Sequence, residues 1–411
     1  MLSTVNIQKI LITLLCLGIF VQQSQAQDAT FSQFYTNKLR FNPAYAGSFL
    51  GTRVNFNWRR QWPAVSGKIE NINFSIDQSL PHIGGISGGW GLMINKDVEG
   101  EGLLTTQEAA LAGSLMIRLD NPKDKTKKFL FFGLQTSLFW QDIDWDQLVF
   151  SNQIDPILPG IQGASGVPQP IAPEQRMFPD IGAGAFLWLQ RDYINNRESG
   201  AKNWQHYKDW VATVGVSAKH LMRPNESFWR QQVSDTLKMP IRWTIHGMGV
   251  FPLPTPYVAL APAFMFEKQR NINTINVGLL GIFTNEYSEN TSQQLSRRIS
   301  TQFLGGVLAR GNGDGLHTII LNAGCKIFKQ KRIRKKNWNR SPSNTIRQTS
   351  YQLSYSYDLI SSASQLVGST AGAHEVTFIM TFGAAEKVRC PKNHLSYYSN
   401  FWKRKRMMVL Y

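Results

Sequence analysis

Charge and cysteine are both scarce in this chain. Charged residues make up 17% of its 411 positions, while hydrophobic types make up 42% and aromatic types 12%. That is low in charge and rich in rings for a soluble protein. Three cysteines occur, Cys16, Cys325 and Cys390. They are too few for a disulfide framework, and none belongs to a CxxC or Cys/His cluster with metal-ligand spacing. A bridge between Cys325 and Cys390 would need specific geometry in an oxidising compartment, and two inert thiols are the plainer alternative.

Long apolar runs are also missing. The run over residues 10–21 falls short of the ~20 apolar residues a membrane-spanning helix needs, and no later segment comes closer. This run follows Lys9 and is succeeded by Ser24-Gln25-Ala26. It therefore reads as a secretory signal peptide over residues 1–26, with cleavage after Ala26. Leu15 precedes Cys16 where a lipoprotein cleavage box wants a small residue, so Cys16 is expected to be discarded with the leader.

Catalytic and metal-binding patterns are absent as well. Asp142, Asp144 and Asp146 open like a calcium loop, but Gln147 stands where an EF-hand needs glycine and no acidic residue closes the loop. A solvated acidic loop is the simpler account. The Gly182-Ala183-Gly184 stretch lacks the third glycine and following helix of a dinucleotide fingerprint. His220, His246, His317 and His374 are scattered, and no Ser/His/Asp set follows from order alone. No cofactor and no metal site are implied, and no enzymatic activity.

What the sequence does contain is period-two alternation, the mark of strands with one apolar and one polar face. Val54, Phe56 and Trp58 alternate with Arg53, Asn55 and Asn57, and Ile72, Phe74 and Ile76 with Asn71, Asn73, Ser75 and Asp77. Trp243 and Ile245 face away from Arg242, Thr244 and His246; Leu353, Tyr355 and Tyr357 face away from Gln352, Ser354, Ser356 and Asp358. Val376, Phe378, Met380 and Phe382 form the last such face. Weaker runs lie at 88–95, 103–118, 129–140, 180–190, 210–220, 257–266, 273–282, 302–310 and 316–327. Together they predict an all-β fold, a transmembrane antiparallel β-barrel of about 14 strands in an outer membrane. In the strand ending at Asp358, Leu353→Arg on the lipid face is expected to be costly, and Ser354→Arg on the lumen face milder.

The expected organisation is a signal peptide at 1–26, an N-terminal periplasmic or plug segment at 27–50, the barrel at 51–384 and a basic tail at 385–411. Residues 311–315 and 99–102 read as tight reversals. Longer connections are expected at 141–179, 191–209 and 328–346, the last crowded with Lys329, Lys331, Arg332, Arg334, Lys335, Lys336 and Arg340 behind Lys326. With 44 Lys and Arg against 27 Asp and Glu, the formal net charge is +17. A secreted chain is a poor match for nucleic acid. The basic runs read as solvated turns, with anionic lipid or an acidic partner as the alternative.

The start of the mature chain carries linked motifs. Phe31-Ser32-Gln33-Phe34-Tyr35 is followed by Asn42-Pro43-Ala44-Tyr45-Ala46-Gly47 and then by Arg59-Arg60-Gln61-Trp62. Near the end come residues 355–359 and Gly372-Ala373-His374-Glu375-Val376. In this order the motifs resemble the PorP/SprF family of type IX secretion membrane proteins, across nearly the whole mature chain. The resemblance marks Phe31, Ser32, Gln33, Phe34, Tyr35, Asn42, Pro43, Ala44, Gly47, Arg60, Gln61, Trp62, His374 and Glu375 as candidates for partner or plug contacts. It implies a non-enzymatic outer-membrane barrel of the secretion and gliding machinery. Its expected partners are a secreted adhesin with a type B C-terminal domain, other secretion components including a periplasmic peptidoglycan-binding protein, and outer-membrane lipid. A porin or hydrophobic-compound uptake channel fits the strand pattern without the motifs. The rings of Phe31, Phe34, Tyr35 and Phe41 precede the first strand, so they are free to plug or cover the barrel base or to dock a partner. Aromatic patches usually find cover.

Overall fold

A computed structural model describes residues 30–49, 51–65, 67–83, 86–100, 104–121, 124, 126–145, 148–150, 153, 175–191, 210–225, 238–255, 257–292, 295–312, 315–337, 340–360 and 370–385. The expected leader and most of the basic tail lie outside these residues. Fourteen strands form one closed antiparallel sheet. They are β1 (Thr52–Gln61), β2 (Lys68–Ile83), β3 (Ile86–Gly100), β4 (Leu104–Arg118), β5 (Thr126–Asp142), β6 (Gln175–Arg191) and β7 (Val211–Lys219). Then come β8 (Arg242–Pro252), β9 (Val258–Gln269), β10 (Ile272–Ser292), β11 (Leu295–Asn312), β12 (Gly315–Asn337), β13 (Arg340–Ile360) and β14 (Ala373–Ala385). Each overlaps one of the alternating runs of the sequence. No helix of the described residues is long and apolar enough to cross a membrane.

Neighbours in sequence are neighbours in the sheet, and the seam closes where β1 pairs β14 from Thr52 opposite Phe382 to Gln61 opposite Ala373. An even count of antiparallel strands brings the start of β1 and the end of β14 to the same rim, here called proximal. The opposite, distal rim carries the connections after β5, β7 and β13. Closure leaves no unpaired strand edge, the condition for placing a sheet in hydrocarbon.

The outer face is apolar around the circumference, with Phe74, Ile94, Leu115, Leu134, Val214, Trp243, Phe264, Val277, Phe303 and Leu353 all exposed. This is a lipid-facing surface. Inside, the wall is of two kinds. Strands β13, β14, β1 and β2 turn Gln352, Ser354, Ser356, Thr377, Asn55, Asn57, Asn71 and Asn73 inward. Strands β8 to β12 instead present Met248, Val250, Ala261, Ala263, Met265, Leu280, Ile282, Leu304, Leu308 and Ile320, which join one buried apolar cluster. The polar inner face expected from the alternation therefore holds for β13, β14, β1 and β2 but only in part for β8 to β12. Alternation is weak at 273–282 and 316–327 because these strands mix apolar residues, Leu280, Ile282 and Ile320, with Thr274, Asn276, Asn322 and Lys326 on the inner face while the outer face is also apolar.

The basic stretch at 328–346 is not a loose connection. Strand β12 continues to Asn337 and β13 starts at Arg340, with ladder pairs from Lys329 opposite Thr349 to Asn337 opposite Arg340. Lys326 belongs to the lumen wall, buried with its ammonium 4.7 Å from the Phe328 ring. Cys325 is a free, half-buried thiol, and Cys390 lies outside the described residues.

Candidate functional site

Residues 30–49 enter the barrel before the first strand begins, and from Phe31 to Phe49 every one of them is buried. They form a turn over 32–36, the helical turn α1 (Lys38–Phe41) and a 3₁₀ turn at Pro43–Tyr45. Asn42 starts that second turn by accepting from the Ala44 amide at 2.9 Å. Pro43 follows at the first helical position, where its missing N–H costs nothing.

Near the distal rim the segment is held by charge. The Ser32 and Gln33 amides donate to the two carboxylate oxygens of Glu375 at 2.6 and 3.1 Å. The Ser32 hydroxyl donates to Asp358 at 2.7 Å. Arg59 bonds Asp358 at 2.8 Å and also reaches the Ser32 hydroxyl. Arg310 donates to the Phe31 carbonyl at 3.3 Å and lies 3.4 Å from Asp358. Two carboxylates and two guanidiniums, from β1, β11, β13 and β14, thus converge on three residues. Because Arg59 and Glu375 flank the β1–β14 seam, the segment ties together the two ends of the sheet. The Gln33 side chain adds bonds to the Glu375 carbonyl at 3.2 Å and from the Ser354 hydroxyl at 2.7 Å.

At mid-height the segment is held by rings and by close backbone approach. Tyr45 stacks on Phe186 at 4.1 Å, Phe186 on Phe131 at 4.5 Å, and Phe41 meets His246 edge-on at 4.7 Å. Asn42 donates to the Ala185 and Val216 carbonyls at 3.2 and 3.3 Å and contacts His246 Nε2 at 2.9 Å. The strands make room with glycine. A Cβ at Gly133 would collide with the Ala44 backbone, and one at Gly184 with the Asn42 side chain. Within the Gly182-Ala183-Gly184 stretch it is Gly184 that serves as a seat for this segment.

Toward the proximal rim, Gly47 takes φ 62° and donates its amide to Asp77 at 3.0 Å. Asp77 is in turn bound by Arg53 at 2.8 Å. On the distal side, Arg40 spans from Asp97 near the end of β3 to Glu108 near the start of β4, 3.9 Å from each. Such a buried network is costly to break on one side only, since a charge is then left without its partner.

A family model for the type IX secretion system membrane protein PorP/SprF matches residues 23–380. The chain belongs to this family. It is an outer-membrane barrel of the type IX secretion system. No curated protein sequence matches it. Among solved structures it is similar to CdiB from Acinetobacter baumannii, at 8% identity over 81% of this chain and 60% of that one, TM-score 0.33. The toluene transporter TbuX of Ralstonia pickettii is 10% identical over 84% of this chain and 92% of that one, TM-score 0.29. The translocator domain of NalP from Neisseria meningitidis is 10% identical over 92% and 94%, TM-score 0.23. The chain thus spans 60% of the CdiB chain it resembles.

The motif residues of this PorP/SprF protein divide by location. Phe31, Ser32, Gln33, Phe34, Tyr35, Asn42, Pro43, Ala44 and Gly47 lie in the lumen, and Glu375 meets them there. Gln61 accepts from Arg59 at 3.2 Å, beside the distal anchor. Arg60 is exposed, and Trp62 turns the chain at φ 51° with its amide bonded to the Gly372 carbonyl at 2.8 Å. His374 does not join the lumen set, but bonds the Tyr355 hydroxyl at 2.7 Å on the exposed side. Asp146 and most of the connection after β5 lie outside the described residues.

Sequence reasoning missed Arg59, Arg310 and Asp358 as anchors. Arg59 opens the Arg-x-Gln-Trp motif and Asp358 closes the polar face of β13, so both had a signal. Arg310 had none, because its partners are brought in by the fold.

Proposed function

We propose that this barrel supports export and surface anchoring of a large adhesin-like cargo carrying a type B C-terminal domain. It acts without catalysis, as part of the secretion and gliding machinery. Family membership across residues 23–380 is the observation that carries this reading. The proximal rim, where the barrel strands begin and end, faces the periplasm and meets other secretion components there, including a peptidoglycan-binding protein. The distal rim faces outward.

The segment at 27–50 acts as a plug. The burial of residues 31–49 between a polar and an apolar wall supports this, and counts against a wide solute pore. Rings of Phe31, Phe34 and Tyr35 that already fill the lumen are poorly placed for a partner unless the segment is drawn out. Affinity purification of the tagged protein from native outer membranes should recover one large secreted protein, and the reconstituted barrel should pass little solute into liposomes. Rapid solute flux with no secreted partner recovered would instead favour an uptake channel.

A further inference from the structure

On the outside of the barrel, at the distal rim, Arg223, Pro240, Ile241, Trp243, Lys268 and Arg270 line a groove of about 300 Å3. It shares no residue with the lumen anchors. Trp243 projects outward from the second residue of β8, half exposed, directly opposite Lys268 on β9. Pro240 and Ile241 extend its apolar floor. Arg223 follows β7, Lys268 lies at the distal end of β9 and Arg270 occupies the turn between β9 and β10, so two neighbouring distal connections and one strand end bring cations to one spot. Among the described residues, the lining contains no carboxylate. The nearest in sequence, Glu267, is buried on the inner face and bound by Arg242 at 2.6 Å.

Two of the three cations stand where the backbone disfavours them. Arg223 has φ 48° and Arg270 φ 52°. Glycine or asparagine would relieve that strain, and strained positions of this kind concentrate at functional sites. Beneath the groove the outer face offers a smooth apolar path. Ile245 pairs with Phe266, and the next pair is Gly247 with Phe264, whose ring lies where a Cβ on Gly247 would be. Tryptophan at the end of a barrel strand marks the headgroup level of a bilayer. Guanidinium groups match phosphate oxygens in geometry and charge.

We propose that this groove binds the phosphate of a membrane lipid, with the lipid's acyl chains lying along the Ile245–Phe264 face. In the orientation given above, the distal rim meets the outer leaflet, and the lipid is then phosphorylated lipid A. That choice of lipid rests on the proposed orientation, whereas the phosphate chemistry does not.

The test is native mass spectrometry of the full barrel in non-ionic detergent, titrated separately with phosphorylated lipid A, dephosphorylated lipid A and phosphatidylglycerol. The wild type should retain a phosphorylated lipid at least tenfold better than dephosphorylated lipid A. A triple variant, Arg223→Asn, Lys268→Gln and Arg270→Asn, should lose about tenfold in that retention while still shifting on a gel after boiling, the sign of an intact barrel. Asparagine suits both left-handed positions, so this variant relieves strain while removing charge. Preference for lipid A supports the site and the orientation together. Preference for phosphatidylglycerol supports the site and turns the barrel over. Equal retention by the triple variant, equal retention of dephosphorylated lipid A, or full displacement by millimolar inorganic phosphate would overturn the proposal.

Discussion

Replacing Tyr45 with alanine should release the N-terminal segment while leaving the barrel closed. The ring is almost fully buried, stacked on Phe186 at 4.1 Å, against Phe41 at 5.6 Å and near His246 at 5.5 Å. Its hydroxyl donates to Thr213 at 3.1 Å. Truncating a large buried aromatic to alanine typically costs roughly 3 to 5 kcal/mol, from lost transfer energy and from the cavity left behind. All of these contacts join the segment to strands or lie within the segment. Their loss therefore falls on the equilibrium between the seated and unseated segment, and not on the strand ladder. At 1.4 kcal/mol per tenfold, the unseated population should rise roughly 100- to 5,000-fold. Hydrogen exchange read by mass spectrometry would register this as faster exchange over residues 31–49, with β1 and β14 still protected. Unchanged exchange over 31–49 would refute the claim that the aromatic stack holds the segment. Equal loss of protection in β1 and β14 would refute the separation of segment from barrel.

Three further outcomes are expected. Leu353, 57% exposed on the outer face, should cost on the order of 2 to 4 kcal/mol when changed to arginine near the midplane, read as lost membrane-folded yield. Ser354→Arg should not be mild, contrary to the simple lumen rule: Ser354 is buried and bonded to Gln33, so the variant should keep the barrel but expose residues 31–49 to exchange. At the β4–β5 turn, burial raises the Asp120 carboxyl, but the Arg118 side chain, the Lys128 amide and the Lys127 charge together hold it below its usual value. A carboxyl lowered by folding stabilises above its unfolded value of about 3.9 and loses that contribution as pH falls through the lowered value. Protection of the amides at this hairpin, taken relative to their intrinsic exchange rate at each pH, should therefore fall in acid below about pH 4, and Asp120→Asn should remove that step.

The strand set was legible because lipid imposes a simple rule on one face of each strand. Phe74, Leu353 and Trp243 obey it regardless of what lies inside. The inner face follows no such rule, since its character depends on what fills the lumen. Leu280, Leu308 and Ile320 face inward into one buried apolar cluster that also holds Phe34, Tyr35, Phe41 and Tyr45 of the N-terminal segment, more than 200 residues away in sequence. The same holds for the seat: Gly133 and Gly184 look like small residues on a crowded wall until Ala44 and Asn42 are placed against them. Arg59 and Asp358 were visible as polar-face residues, but their convergence on Ser32 required closure of the seam. The basic stretch after Lys329 reads as a turn in the sequence because its run of charges shows no apolar alternation, although the backbone ladder of β12 and β13 continues through it.

The most direct test is surface proteomics of a strain lacking this gene, with adhesin transcription measured in parallel. Loss of one adhesin-like protein, or of a small set, at unchanged transcript levels is the predicted result. Complementation with the Tyr45→Ala variant would then tell whether a seated segment is needed for it. An unchanged surface together with impaired uptake of a solute would contradict the export reading and leave a transporter in its place.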